Sequence, residues 1–339
     1  MWARSTTWTI TTKQKTPAVL FFGDSIFDTG NNNNLITEMR CNFSPYGMSF
    51  PSGVPTGRFS NGKVASDYIS EFLGVQPIVP AYFDPELQPE DLLTGVSFAS
   101  GGSGFDPMTP KISRVWSMLS QLTYFQEYVE RVKKLVGQKK TDQLLTKGLA
   151  VVVAGSNDLV ITYYGQGAQW LRYDVHYFTT MMAKSAASFV MQLYGYGAKQ
   201  IAVIGTPPLG CIPSQRTLKG GLRRNCAQDI NYASQLFNVK LSIALDQLAK
   251  TLPNSNVVYI DLYSPFSHIV ANPQDYGFED IKKGCCGTGL VEAGPLCNRF
   301  TPVCSNVSGY LFWDSFHPTQ RFYKILVKIL FEKYIHHLF

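Results

Sequence analysis

The chain has 339 residues, 45% of them hydrophobic and 16% charged, with a formal net charge of +6. That length and apolar share can bury a large core, so a disordered or low-complexity polymer is excluded. No apolar run reaches the length of a membrane-spanning helix, and the aromatic residues do not interleave with basic ones as a nucleic-acid module, so neither a membrane span nor a nucleic-acid partner is expected.

Met1 to Lys15 is rich in Thr and lacks the apolar core of a signal peptide. We read residues 1–16 as an N-terminal tail, whose lack of a leader is consistent with a truncated or mis-started reading frame, and 17–339 as one domain. No Pro/Ser-rich linker or fixed-period repeat divides the remainder. The first predicted strand, near 17–23, breaks at Gly23 and is followed by Asp24 and Ser25. A second, near 95–100, runs into Gly101-Gly102-Ser103-Gly104, where backbone N–H groups can approach a ligand with no side chain in the way. Arg131, Lys133, Lys134, Lys139 and Lys140 cluster near one helix end and read as a solvated face. A third strand, near 149–154, gives way to Gly155-Ser156 and then Asn157, whose amide can donate to a developing oxyanion or, alternatively, satisfy its own turn. Apolar residues three or four apart, Val175, Phe178, Met182, Phe189, Val190 and Leu193, predict a core-facing helix. A strand near 200–205 follows. A second stripe, Ile230, Ala233, Leu236, Phe237, Leu241, Ala244, Leu245 and Leu248, predicts another helix before a strand near 256–262. Strands alternating with helices indicate α/β architecture, a parallel sheet covered on both faces. Ser25, the glycine block and Asn157 then share the carboxyl edge of the sheet, where open α/β sheets bind ligands.

The last chemical segment is Asp314-Ser315-Phe316-His317-Pro318, before a final amphipathic helix. A serine hydroxyl needs a neutral imidazole to take its proton and a carboxylate to hold that imidazole in the right tautomer. Ser25, His317 and Asp314 fit these roles, and Pro318 at the start of a helix fixes the chain direction after the histidine. Acyl transfer through an activated serine is the chemistry this set can perform. The Gly-x-Ser-x-Gly elbow of α/β-hydrolases is absent, as are a Walker A loop and a Rossmann glycine fingerprint.

Taken together, Phe22-Gly23-Asp24-Ser25-Ile26-Phe27-Asp28-Thr29-Gly30-Asn31-Asn32-Asn33, Pro55-Thr56-Gly57-Arg58-Phe59-Ser60-Asn61-Gly62, Phe98-Ala99-Ser100-Gly101-Gly102, Gly155-Ser156-Asn157-Asp158, Pro207-Pro208-Leu209-Gly210-Cys211-Ile212-Pro213 and Phe312-Trp313-Asp314-Ser315-Phe316-His317-Pro318-Thr319 resemble the blocks of the SGNH hydrolases. The closer resemblance is to the plant GDSL esterase/lipase family, and the segment from Leu93 to Ile112 is similar to its anther- and pollen-associated extracellular lipases. The resemblance implies a single-domain, flavodoxin-like three-layer fold with a central parallel sheet of about five strands. It implies Ser25 as nucleophile, His317 as general base and acid, and Asp314 as its orienting carboxylate. The oxyanion hole it implies combines the backbone N–H of Ser25, the amide of Asn157 and a glycine N–H. The end of the glycine block favours Gly102, with Gly101 and Gly104 beside it as alternatives. Ser97 stands where many members carry Asn. The expected activity is cleavage of lipid or other acyl esters without cofactor or metal, by a monomer. The alternatives are an acyltransferase of the cutin-polymerising kind at the same site, and a non-catalytic lipid- or glycan-binding protein.

Of seven cysteines, Cys211 and Cys226 bracket one loop, and Cys285, Cys286, Cys297 and Cys304 crowd one segment. Disulfides in an oxidising compartment account for both even-numbered groups and leave Cys41 as the odd thiol. The adjacent Cys285-Cys286 does not match the spaced pairs of a zinc site. Asn42-Phe43-Ser44 and Asn306-Val307-Ser308 are glycosylation sequons. A secreted, extracellular protein is expected.

Overall fold

A computed structural model describes residues 16–338. The segment Met1 to Lys15, with the expectations about a tail and a leader, lies outside the described residues. Four apolar strands, β1 (Val19–Gly23), β2 (Leu149–Val153), β3 (Gln200–Ile204) and β4 (Asn256–Ile260), form a parallel sheet in that order. Val19, Leu149, Gln200 and Asn256 stand in one register row, so all four strands end together on one edge. The segment 95–100 extends the sheet beyond β1. Val19 and Phe21 donate to the carbonyls of Thr94 and Val96, and Phe98 and Ser100 donate back to Phe21 and Gly23, at 2.8–3.1 Å. All five predicted strand segments therefore lie side by side, with the segment 95–100 outermost. A second, two-stranded sheet, β5 (Asp280–Gly284) with β6 (Tyr310–Phe312), lies outside that pattern.

The helices are α1 (Ala65–Phe72), α2 (Met108–Ser113), α3 (Met118–Val136), α4 (Gln138–Lys147), α5 (Val175–Gly195), α6 (Pro213–Lys219), α7 (Gln228–Ala249), α8 (Tyr263–Ala271) and α9 (Gln320–Leu338). Ser117 and Asp174 cap α3 and α5 by accepting the N–H groups of Ser120 and Tyr177. The predicted stripes fall on α5 and α7. Phe178, Met182, Phe189, Val190 and Leu193 are buried, as are Ile230, Ala233, Phe237, Leu241 and Leu245. Alternation along β1 divides the core in two. Leu20 and Phe22 face α3, α5 and α7, with the Phe22 ring 5.0 Å from Phe98, 5.4 Å from Phe125 and 5.7 Å from Phe189. Val19 and Phe21 face the layer that contains α1, α8 and α9.

Gly23 fixes where β1 stops. Its φ is +133°, and a Cβ there would sit 1.7 Å from the Val153 carbonyl oxygen, so no other residue fits. Cys211–Cys226, Cys285–Cys304 and Cys286–Cys297 are disulfides, and Cys41 is a buried free thiol. Among the described residues no cluster of His, Cys, Asp or Glu could hold a metal ion, and no helix is long and apolar enough to cross a membrane. Burial pushes the Cys41 thiol well above its ordinary range, which suppresses the reactive thiolate. Iodoacetamide is therefore expected to leave the native protein unmodified and to label one thiol per chain after denaturation without reductant. Labelling of the native protein, or of three or more thiols after denaturation, would contradict this arrangement.

Candidate active site

Ser25 stands two residues beyond the end of β1, in a turn closed by the N–H groups of Phe27 and Asp28 on the Asp24 carbonyl. The imidazole Nε2 of His317 lies 2.9 Å from its Oγ. On the other side of the ring, Nδ1 lies 2.8 Å and 3.0 Å from the two carboxylate oxygens of Asp314. Asp314 is fully buried and has further donors. Oδ1 accepts the N–H groups of Phe316 and His317 at 2.8 and 2.7 Å, and Oδ2 accepts the Tyr46 hydroxyl at 2.7 Å. Tyr46 in turn accepts the Gly294 N–H at 2.8 Å. The Phe59 ring packs 4.9 Å from the imidazole. The structure thus brings Ser25, His317 and Asp314 into one hydrogen-bonded line.

Asn157 follows β2 and lines the same cavity as Ser25 and His317. Its Nδ2 donates to the Ser103 carbonyl at 2.9 Å, which orients the amide and leaves its second N–H free to point elsewhere. The neighbouring Asp158 is buried and clamps the end of the glycine block, accepting from the Phe105 and Asp106 N–H groups at 2.9 and 2.7 Å and from the Thr109 hydroxyl. Within that block Gly101 donates its N–H to Asp28 Oδ2 at 2.8 Å. Gly101 is therefore already engaged, whereas the N–H groups of Ser25, Gly102 and Gly104 have no partner among the described residues. Gly102 has a φ of +87°, and a Cβ there would meet Ser113 at 2.9 Å.

The other motif residues are scaffolding. Asn31 donates to the Ser97 and Ala99 carbonyls, and Asn32 donates to Met39 and Gly101. Ser97 donates its hydroxyl to the Phe27 carbonyl at 2.7 Å, tying the turn of Ser25 to the outer strand segment. Arg58 forms a bidentate, buried ion pair with Asp67 of α1 at 2.8 Å. Ser60 donates to the Pro318 carbonyl, and Asn61 accepts from the Gln320 N–H. Tyr46 and Gln121 carry no motif signature. Gln121 nonetheless holds both polar groups of the Gly23 peptide at 2.8 Å.

A family model described as GDSL-like Lipase/Acylhydrolase matches residues 19–330. The anther-specific proline-rich protein APG of Brassica napus is 63% identical over 327 residues, covering 94% of this chain and 72% of that protein. The GDSL esterase/lipase EXL3 of Arabidopsis thaliana is 54% identical over 320 residues, covering 94% and 88%. Among solved structures, Axe2, an acetylxylan esterase from Geobacillus stearothermophilus, aligns with 96% of each chain at 14% identity and a TM-score of 0.36.

Three buried carboxyls surround the site. Burial pushes Asp24 up to about 7, against bonding to the Ile26 N–H and the field of His317, which pull it down. Asp28 and Asp158 are pushed by burial to about 6 despite the N–H groups they accept. A carboxyl whose folded value is raised favours the folded state while protonated. Its contribution is complete below the ordinary value of 3.8 and is lost as pH rises through about 6–7. Asp24 Oδ2 has no hydrogen-bond partner, so neutralising it removes an uncompensated charge. Asp24→Asn is expected to gain stability relative to the parent on going from pH 5 to pH 8, by on the order of 2–3 kcal/mol in urea denaturation. Parallel pH profiles for the two proteins would contradict the assignment.

Proposed function

The chain belongs to the GDSL-like lipase/acylhydrolase family and is a carboxylic-ester hydrolase; we propose that it works through an acyl-enzyme on Ser25. His317 takes the Ser25 proton as Oγ attacks the ester carbonyl, and returns it to the leaving alkoxide as the tetrahedral intermediate collapses. Asp314 holds Nδ1–H and stabilises the imidazolium without itself taking the proton. The oxyanion is met by the N–H of Ser25, the N–H of Gly102 and the Asn157 amide. Water activated by His317 then releases the acid. The observation that carries this reading is the 2.9 Å contact between His317 Nε2 and Ser25 Oγ, with Asp314 at 2.8 Å behind it. Tyr46 is a positioning residue that supports the buried face of Asp314.

The substrate is an ester small molecule or lipid. The three disulfides favour an oxidising, extracellular setting. Both sequon asparagines, Asn42 and Asn306, are exposed and accessible to a glycan. Replacing Ser25 by Ala is expected to abolish labelling by a fluorophosphonate with circular dichroism unchanged; labelling of the folded variant at another serine rejects the nucleophile. Asn157→Ala is expected to lower kcat by roughly 10²–10³ with little change in KM. Turnover near the parental rate would return Asn157 to a turn role. Product analysis with a competing alcohol separates hydrolysis from acyl transfer.

A further inference from the structure

An apolar void leads away from Ser25 and His317 into the layer between the central sheet and α9. Leu149, Val151 and Val153 all line it, so it follows the whole length of β2 from the carboxyl edge of the sheet to the opposite edge. Ala202 and Ile204 of β3 continue this floor, and α9 forms the roof. α9 packs against α1, α8, β4 and β6. The roof runs from Tyr323 to Leu338, sixteen residues whose ends lie about 22 Å apart along the helix. About 130 Å³ of open space remains inside, room for several waters at ~30 Å³ each. Few voids larger than one water survive in a packed interior. Apart from Asp24, Ser25, Ser156, Asn157, His317 and Tyr323, the lining presents one polar side-chain group, the Tyr334 hydroxyl, and that is engaged by the Asp261 N–H. Water entering this space would find too few partners.

We propose that this tunnel receives the acyl chain of the ester, and that the substrate class is the esters of long, unbranched fatty acids. The inference rests on the reading of Ser25 as nucleophile, since the acyl carbon must sit at the tunnel mouth. A void bordered along the α9 roof by aliphatic and aromatic side chains and reaching the reacting hydroxyl matches an extended alkyl chain. A branched acyl group or a sugar would need width or polar partners that the lining does not provide. Leu330 and Ile69 face the space from α9 and α1 and are half-buried, so larger side chains there would narrow it.

The test measures kcat/KM for p-nitrophenyl acetate, hexanoate, laurate and palmitate in the parent, Leu330→Trp and Leu330→Met, with Ile69→Trp as a second narrowing variant should the first not fold. The palmitate-to-acetate ratio is expected to exceed one by at least about tenfold in the parent, the gain from burying as few as two methylene groups. Leu330→Trp should lower that ratio by about tenfold or more and move the preference toward shorter chains, while Leu330→Met keeps it. A parental ratio near one, or a ratio unmoved in a folded tryptophan variant, overturns the proposal. Displacement of a fluorescent fatty acid by palmitate from folded Ser25→Ala protein reads the tunnel without turnover. Binding there supports the tunnel, and no binding overturns it. Hydrolysis of the acetate ester retained by Ser25→Ala would instead overturn the reading of the nucleophile, so the two failures are distinguishable.

Discussion

The hydrogen bond between Ser25 and His317 joins residues 292 positions apart, and the proposed acyl transfer depends on it. A bond of that kind is worth about 1 kcal/mol net and cannot hold the two ends of a chain together by itself. It must be placed. The segment 310–320 is docked by β6 on β5, by the Cys286 N–H on the Trp313 carbonyl at 2.9 Å and by the Ser315 N–H on the Glu292 carbonyl at 2.8 Å. Ser60 and Asn61 then fasten Pro318 and Gln320 from the N-terminal third of the chain. Two disulfides, Cys285–Cys304 and Cys286–Cys297, close the loops behind this segment and lower the entropy of the unfolded chain that competes with docking.

The same logic governs the opposite wall. Asp28 bonds the N–H groups of Gly30, Asn31 and Gly101, so one carboxyl fixes both the turn after Ser25 and the glycine block. Asp158 does the equivalent between Asn157 and the segment at 105–109. Buried charge is costly unless fully bonded. Each of these carboxyls accepts at least three hydrogen bonds, whereas Asp24 accepts the Ile26 N–H on one oxygen and leaves the other bare. The neutral form of Asp24 is therefore favoured furthest up the pH scale, and it sits beside the serine where a fixed negative charge would oppose a developing oxyanion.

Periodicity made the five strand segments and the stripes of α5 and α7 legible, because each is a run whose burial is set by neighbours in sequence. The Ser25, Asp314 and His317 set was legible from residue chemistry and spacing. What escaped is set by contacts across the chain. Tyr46 reaches Asp314 from 268 residues away, and nothing local to it distinguishes that hydroxyl from any other. β5 contains Lys282 and Lys283 on exposed positions and has no apolar alternation to announce it. Which of the Gly101, Gly102 and Gly104 N–H groups is already engaged is also set by the fold: Asp28 takes that of Gly101, and those of Gly102 and Gly104 have no partner among the described residues. The pairing of adjacent Cys285 and Cys286 with different partners likewise follows from folded geometry, since count alone permits three arrangements of the four cysteines.

The two faces of the sheet are filled unequally, and that asymmetry carries a free-energy consequence. Rings from Phe125, Phe178, Phe189 and Phe237 crowd the face under α3, α5 and α7. On the other face the central strands present Val151, Ala202 and Ile204 to α9, and the void persists. Side chains that border this space lack partner atoms on one side and forgo those dispersion contacts. A ligand that fills the space with alkyl carbon restores the lost dispersion contacts and removes its own chain from water at the same time. Binding of the acyl group and repacking of the core then become one event, with the ester carbonyl left at the mouth beside Ser25.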